Sequence, residues 1–407
     1  MKPTHKAFGC GFTCGLLAAL AGLVAIALTA ERAKQGAMQQ RLSDTTAPVD
    51  GDADITRAIE AVRMRHAVPA LAAAVVTGNG LAAVGAAGWR RADSDVPVTV
   101  HDSWHLGSDT KAMTAMLAAC LVEQGRLEWD RTLAEVFPEA VGGMDPAFRR
   151  VTLRQLLSHR AGFPANLRWG DFDSQGPVHE ARVAALIEAA GATPEDPPGS
   201  VFRYSNLGYV IAGAMLERVL NQPWEAAITT RIFRPLGMSQ FGFGGVGTPG
   251  KLDQPWGHRA NGQPVEGNGP AVDNPPVIGP AGRVHCTLQT WALFIADQLR
   301  GPHGHGALGT ADTYDAVQTP VDPEGHALGW VVTDRGWAGG RALNHCGSNT
   351  MNYANAWLAP ERGFAILVVC NQGGDAAFKA TDDAVAALIP FAQRRAAEAR
   401  PQTAPTP

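Results

Sequence analysis

The stretch His105-Leu-Gly-Ser108-Asp-Thr-Lys111 decides how the rest of this chain is interpreted. A helical pattern begins directly after Ser108, so we expect the serine at a helix N-terminus with Lys111 one turn further along. Residues three apart share a helix face, and the amine can therefore meet the hydroxyl. A serine is a poor nucleophile until a neighbour takes its proton, and a desolvated lysine with a lowered pKa can do this. The stretch predicts Ser108 as nucleophile and Lys111 as proton acceptor.

The pattern S-x-x-K is short, and an ordinary helix-capping serine followed by a surface lysine is the alternative. Two features of the sequence oppose that alternative. No other S-x-x-K occurs in the chain, and residues 112–117 are mostly apolar. A lysine at the base of such a helix is not expected to be a solvated charge.

A second element contains Tyr204 and Asn206, which follow a Pro-Gly turn at residues 198–199. A tyrosine near a lysine can relay protons, and an asparagine amide can bond both the lysine and a substrate carbonyl. The alternative is a packed loop tyrosine with Asn206 as a helix cap. A second Tyr-x-Asn at residues 353–355 shows that this element is weak evidence alone.

A third element, His345-Cys346-Gly347-Ser348-Asn349-Thr350, lies just before a strand pattern at residues 353–358. A glycine on a strand edge permits close approach by a substrate. Backbone N–H groups there can form half of an oxyanion hole. A simple turn histidine is the alternative interpretation of His345.

Together, the three elements resemble the serine β-lactamase and penicillin-binding-protein superfamily. The Tyr-x-Asn form is similar to its class C branch, which includes carboxypeptidases, esterases and D-aminopeptidases. Residues 153–162 and 279–282 are similar to the same branch, and the resemblance spans about residues 55–389. The resemblance implies an acyl-enzyme hydrolase of the esterase, peptidase or β-lactamase type. Its implied catalytic residues are Ser108, Lys111 and Tyr204, and its implied substrate-binding residues are Asn206, His345 and Gly347.

Two departures from that superfamily concern the third element. His345 stands where a lysine is usual, which removes a permanent charge that would attract a substrate carboxylate. Cys346 stands where a threonine or a glycine-type residue is usual, which removes a hydroxyl donor. With an ordinary pKa of about 6.5, His345 would attract carboxylates weakly at neutral pH and more strongly near about pH 5.5. We therefore expect esters or amides without a carboxylate to be preferred over penicillins at neutral pH.

The order of patterns along residues 52–390 predicts an α+β fold. Strand patterns occur at both ends of this domain, and helical patterns fill the middle. We expect one antiparallel sheet built from N- and C-terminal strands and flanked by helices, with a large, mostly helical inserted lobe. The site is expected in the cleft between sheet and lobe. The predicted strands cover residues 71–77, 81–89, 328–333, 353–358 and 364–370.

The ends of the chain carry other signals. A basic start and an uncharged run at residues 7–30 predict that residues 1–30 are a signal peptide or a membrane anchor. Export to the periplasm or the outside is therefore expected, with membrane contact through this segment if it is not cleaved. Residues 31–51 are predicted to be a linker, and residues 391–407 a disordered tail.

Composition and missing motifs exclude several other classes of function. A net charge of −4 and a pI near 6.3 give no support for nucleic-acid binding. No serine has the Gly-x-Ser-x-Gly context of an α/β-hydrolase. His303 and His305 lack a third ligand nearby, so neither a metal nor another cofactor is expected. The expected partner is a small-molecule or peptide substrate. The alternative is a weak or inactive module whose cleft binds cell-wall peptide or a partner.

Overall fold

The computed structural model describes residues 12–172 and 176–399, with side chains from residue 24 onward. Short 3-10 turns connect many of its helices and strands. The strands are β1 Val49–Gly51, β2 Ala70–Thr77, β3 Gly80–Gly88, β4 Ser103–His105, β5 Phe241–Phe243, β6 Val284–Thr287, β7 Val331–Arg335, β8 Gly340–Ser348, β9 Tyr353–Ala359 and β10 Phe364–Cys370. The helices are α1 Phe12–Asp44, α2 Ala53–His66, α3 Thr110–Glu123, α4 Leu133–Val136, α5 Leu153–Leu157, α6 Val178–Ala190, α7 Asn206–Leu220, α8 Trp224–Ile228, α9 Gly279–Gly282, α10 Leu288–Arg300, α11 Ala311–Gln318 and α12 Asp375–Ala399.

The main sheet has seven strands in the order β1-β3-β2-β10-β9-β8-β7. Every neighbouring pair is antiparallel, and the first and last parts of the chain meet where β2 pairs with β10. Val75 lies opposite Ile366 in that pairing. The predicted α+β fold, with one sheet that the chain leaves and rejoins, is confirmed.

Alternate side chains of a strand point to opposite faces of the sheet, and both faces of this sheet are covered by other elements. On one face Val75 and Ile366 pack with Ile59 of α2 and Leu388 of α12. The opposite face packs against α10 and the lobe. Every residue of β10 is buried, which explains why its sequence is a continuous apolar run.

The lobe lies between β3 and β7 and is mostly helical, as predicted. It also contains a small three-stranded sheet in the order β4-β6-β5, which the sequence did not reveal. Two of these strands have three residues each, too few for a pattern of alternation to be detected. Helix α3 is buried along residues 110–121 and lies at the centre of the molecule. The serine turn therefore stands between the sheet and the lobe.

The prediction of a linker over residues 31–51 is wrong. Helix α1 continues to Asp44, and β1 adds an edge strand to the main sheet beside β3. Leu42 and Ala47 are buried in a small cluster with Trp89. Two anchoring apolar residues are too few to produce a period, so the sequence of this segment looks like that of a linker.

The prediction of a disordered tail over residues 391–407 is wrong for residues 391–399. Helix α12 continues through Pro390 to Ala399, and Phe391, Ala392 and Ala396 are buried against the sheet. Residues 400–407 lie outside the described residues.

The predicted signal peptide or membrane anchor lies largely outside the described residues, because residues 1–11 and the side chains of residues 12–23 are not among them. Within the part of the chain that is described, no helix has both the length and the apolar character needed to cross a membrane.

Candidate active site

The turn that carries Ser108 is held from both sides. Strand β4 ends at His105, and Gly107 then takes a φ of +52°, a conformation that favours glycine. A Cβ built on Gly107 would lie 2.4 Å from the backbone nitrogen of Ser348, so only glycine fits there. Ser108 lies in a 3-10 turn, and the cap position of α3 belongs to Asp109. Ser108 is therefore not an ordinary helix-capping serine.

Lys111 is fully buried in the first turn of α3. Its Nζ lies 2.9 Å from Ser108 Oγ, 2.7 Å from Asn206 Oδ1 and 2.7 Å from the carbonyl oxygen of Ala281. All three distances are those of good hydrogen bonds. The alternative of a surface lysine is thus wrong.

The charge state of Lys111 follows from this burial. Desolvation lowers the pKa of Lys111 well below its usual value, although Asp109 nearby acts in the opposite direction. Burial also raises the pKa of Asp109 well above its usual range. A neutral amine has two N–H donors and one lone pair. The acceptors Asn206 Oδ1 and Ala281 O take the donors, which leaves the lone pair to accept the hydroxyl proton of Ser108.

Tyr204 completes this group from the segment before α7. Its side chain is hydrogen-bonded to that of Ser108, and Lys111 Nζ lies 4.8 Å from the centre of its ring. The residue as a whole is 38% exposed, but its hydroxyl is desolvated, which raises the pKa of Tyr204 above its usual value. Tyr204 is therefore a neutral phenol at neutral pH. It can pass a proton on, while Lys111 is the better base.

Two residues that the sequence did not single out support this group. The His159 ring stacks on Tyr204 with centroids 4.4 Å apart, and its Nδ1 accepts the backbone N–H of Ser205 at 3.0 Å. Asn166 Oδ1 accepts from Asn206 Nδ2 at 2.9 Å, which turns the Asn206 oxygen toward the lysine. His159 lay in a stretch quoted for its resemblance, whereas no local signal marks Asn166.

Strand β8 forms the opposite wall. It extends beyond β7, whose pairing with it stops at Asn344, and this extension stays paired with β9 and packs against the serine turn. A Cβ built on Gly347 would lie 1.9 Å from Leu106 O and 2.6 Å from Ser108 N, so the close approach requires glycine. The backbone nitrogens of Ser108 and Ser348 therefore border the same junction. Ser348 belongs to the third element, and the sequence alone did not indicate which backbone N–H group of that element could complete an oxyanion hole.

His345 is only 7% exposed, and its Nδ1 bonds to the carbonyl oxygen of Cys346 at 2.9 Å. Burial, with a further contribution from Lys111, lowers the pKa of His345 to about 3. The expectation that this histidine gains charge near about pH 5.5 is therefore wrong. The Cys346 thiol donates to Asn355 Oδ1 of β9 at 3.4 Å and is thus engaged within the sheet.

A separate group of possible metal ligands consists of Asp322, Glu324 and His326, whose ligand atoms lie within 4.8 Å of one another. Asp322 already accepts from the His326 backbone N–H at 2.9 Å and forms an ion pair with Arg160 at 3.2 Å. Since neighbouring protein groups satisfy this carboxylate, the cluster is explained without an ion.

Comparison with known proteins identifies the family. Residues 55–390 match the Beta-lactamase family, and the chain therefore belongs to it. Penicillin-binding protein 4 of Amycolatopsis lactamdurans is 27% identical over 344 residues, which cover 77% of this chain and 84% of that protein. The superfamily resemblance inferred from the motifs is confirmed.

Solved structures show the same fold. The crystal structure of SurE with D-Leu superimposes with a TM-score of 0.66 and 25% identity over 83% of this chain and 74% of that one. The D-alanine carboxypeptidase AmpC of Burkholderia cenocepacia gives a TM-score of 0.65 and 20% identity over 82% of this chain and 98% of that one. Family membership supports serine hydrolase activity in general.

Proposed function

We propose that this chain is an exported hydrolase that cleaves esters or amides through an acyl-enzyme on Ser108. The Lys111 amine takes the hydroxyl proton as Ser108 Oγ attacks the carbonyl carbon. The backbone N–H groups of Ser108 and Ser348 stabilise the oxyanion. Tyr204 passes the proton to the leaving group, and water then attacks the ester to release the acid and regenerate Ser108.

One observation carries this proposal: Lys111 Nζ lies 2.9 Å from Ser108 Oγ while two acceptors occupy its remaining hydrogen-bonding directions. Because desolvation lowers the pKa of Lys111 well below its usual value, its neutral amine can direct a lone pair at Ser108 Oγ and act as the base. A capping serine and a packing lysine would require no such arrangement.

The strand side of the cleft supports a substrate class. An uncharged His345 offers no permanent attraction for a carboxylate, so we propose short esters or amides without a carboxylate as preferred substrates at neutral pH. A second candidate is a catalytically weak or inactive module whose cleft binds cell-wall peptide or a partner. The name of the A. lactamdurans relative, a penicillin-binding protein, agrees with this candidate.

Covalent labelling tests the proposal. Wild-type protein should react with a fluorescent fluorophosphonate, Ser108→Ala should not, and the labelled peptide should contain Ser108. Ser94→Ala, on a loop outside the site, is the control and should label like wild type. Equal ester turnover by Ser108→Ala and wild type would overturn the assignment. The mass and cell fraction of the mature chain test export and show whether residues 1–30 are removed.

A further inference from the structure

Asp273 lies outside all three sequence elements, in the long segment between β5 and β6, and its side chain is fully buried. Its two carboxylate oxygens bond to different parts of the chain. One reaches His105, just before the serine turn, and the other reaches Asn349, just after Ser348. A single carboxylate thus connects the two segments that carry the proposed oxyanion-binding N–H groups.

The His105 side has a fixed hydrogen-bond polarity. The backbone N–H of Gly107 donates to His105 Nδ1 at 3.0 Å, so that nitrogen carries the lone pair. His105 Nε2 therefore carries the proton and donates to Asp273 Oδ2 at 2.9 Å. Through this ring, Asp273 holds the Gly107 backbone, whose conformation aims the N–H of Ser108.

The Asn349 side is equally constrained. Asn349 Oδ1 accepts from the backbone N–H of Asn352 at 2.9 Å, from Asn352 Nδ2 at 3.1 Å and from Met351 N at 3.2 Å. Its Nδ2 is therefore the group that faces Asp273, and it donates to Oδ1 at 2.9 Å. This bond fixes the chain where it leaves Ser348.

Asp273 is a carboxylate at working pH. Burial opposes its ionisation, but the His105, Asn349 and Arg283 side chains outweigh burial and lower the pKa of Asp273 to about 2. Arg283 Nε lies 3.3 Å from Oδ2. Only an acceptor on both oxygens satisfies these donors.

We propose that Asp273 is a positioning residue that sets the spacing between the backbone N–H groups of Ser108 and Ser348. The inference rests on the proposed function, since it concerns the oxyanion hole of that same site. Asp273 does not touch the reacting atoms. It acts through His105 on one side of the junction and through Asn349 on the other.

Asp273→Asn is the informative change because it keeps the shape and reverses the polarity at one oxygen. The new amide must direct its N–H₂ either at His105 Nε2–H and Arg283 Nε or at Asn349 Nδ2, and all of these groups are donors. Either the His105 tautomer changes and the Gly107 N–H loses its acceptor, or the Asn349 amide turns and loses its three bonds. Each outcome shifts one oxyanion donor.

The experiment measures kcat and KM for a neutral ester, normalised to sites titrated with a fluorophosphonate. Asp273→Asn should lower kcat per titrated site on the order of 10- to 100-fold while KM changes about 2-fold or less, because misplaced oxyanion donors weaken the transition state. The matched control is Asp297→Asn. Asp297 is also fully buried and accepts from Tyr314 and the Ala307 N–H, away from this site. This control should keep wild-type kcat per titrated site.

A polarity swap tests the mechanism independently of folding defects. In His105→Glu/Asp273→Asn the glutamate accepts both from Gly107 N–H and from the new amide, and the net charge is unchanged. This variant should regain activity to within about 5-fold of wild type. Unchanged kcat in Asp273→Asn, or no recovery in a folded double variant, would overturn the inference. A wild-type protein that does not label at Ser108 would instead overturn the proposed function.

Discussion

The two walls of the site differ in how they use burial. The lobe wall, formed by Ser108, Lys111 and Asn206, buries a lysine and surrounds it with acceptors. The strand wall, formed by residues 345–348, buries a histidine and engages it with a backbone carbonyl. Desolvation lowers the pKa of both Lys111 and His345. On the lobe wall the result is a base beside a nucleophile, and on the strand wall it is an uncharged surface.

This difference separates chemistry from recognition. A base must be neutral to accept a proton, so burial of Lys111 promotes the proposed reaction. A group that attracts a carboxylate must be charged, so burial of His345 removes that attraction. Changes to the lobe wall should therefore affect every substrate equally, whereas changes to the strand wall should alter the choice among substrates.

The largest expected effect comes from breaking the lobe wall. Lys111→Ala and Tyr204→Phe should each lower kcat on the order of 10²-fold or more, as loss of general acid–base groups does. Because both groups handle the Ser108 proton, the double variant should lose less than the product of the single losses. Steady-state kinetics on one neutral ester, per titrated site, measures all three variants.

Lys111→Arg distinguishes a base from a fixed positive charge. An arginine is always protonated, so it supplies a fixed positive charge but cannot accept the Ser108 proton. If Lys111 is a base, this variant should be as inactive as Lys111→Ala. An arginine variant with near wild-type turnover would show that charge alone is what the lobe wall supplies.

Much of the fold could be predicted because its strands and helices are long enough to show a period. Strand β10, for example, matches the predicted strand at residues 364–370. The three-residue strands of the small sheet show no alternation, and α1 is tied to the domain by few buried side chains. Contacts of this kind arise from tertiary packing, which local sequence does not encode.

The residues of the site also divide into those that local sequence predicts and those that it does not. Ser108 and Lys111 lie three residues apart, so their contact could be predicted from helix geometry alone. Asn166 and Asp273 meet the site only because distant loops converge on it, and no motif surrounds either residue. The burial of His345 likewise depends on the elements packed around it, and for this reason its charge was predicted wrongly.

A smaller effect is expected from the strand wall. Since the pKa of His345 is about 3, its charge should not change between about pH 5.5 and pH 8. The ratio of kcat/KM for two matched esters, with and without a carboxylate, should stay constant over that range. Both individual rates should fall together on acidification, because the lowered pKa of Lys111 is then approached and the base becomes protonated.

His345→Lys should shift that ratio toward the carboxylate-bearing ester by roughly 10-fold, which corresponds to about 1.4 kcal/mol. His345→Gln is the matched control, since it is neutral and polar, and should leave the ratio unchanged. A ratio that moves with pH in the wild type would show that His345 titrates in the working range. A lysine variant with the wild-type ratio would show that the strand wall does not recognise the carboxylate.

The smallest expected effect is on stability, and it tests whether burial alone is enough to keep a histidine uncharged. His258 is fully buried away from Lys111, donates through Nδ1 to Asn371 O at 2.6 Å and accepts from Ala92 N at 3.0 Å. Burial lowers its pKa to about 4, against about 6.5 in the unfolded chain. The unfolded state therefore binds more protons between these values, so stability present above about pH 6.5 is lost as pH falls toward 4.

Between pH 7 and pH 5, the lowered pKa of His258 should reduce the free energy of unfolding by ~2 kcal/mol. Urea denaturation at both pH values should show that His258→Gln and His345→Gln each flatten the loss by a similar amount. Flattening by His345→Gln alone would mean that Lys111, rather than burial, keeps the strand-wall histidine neutral.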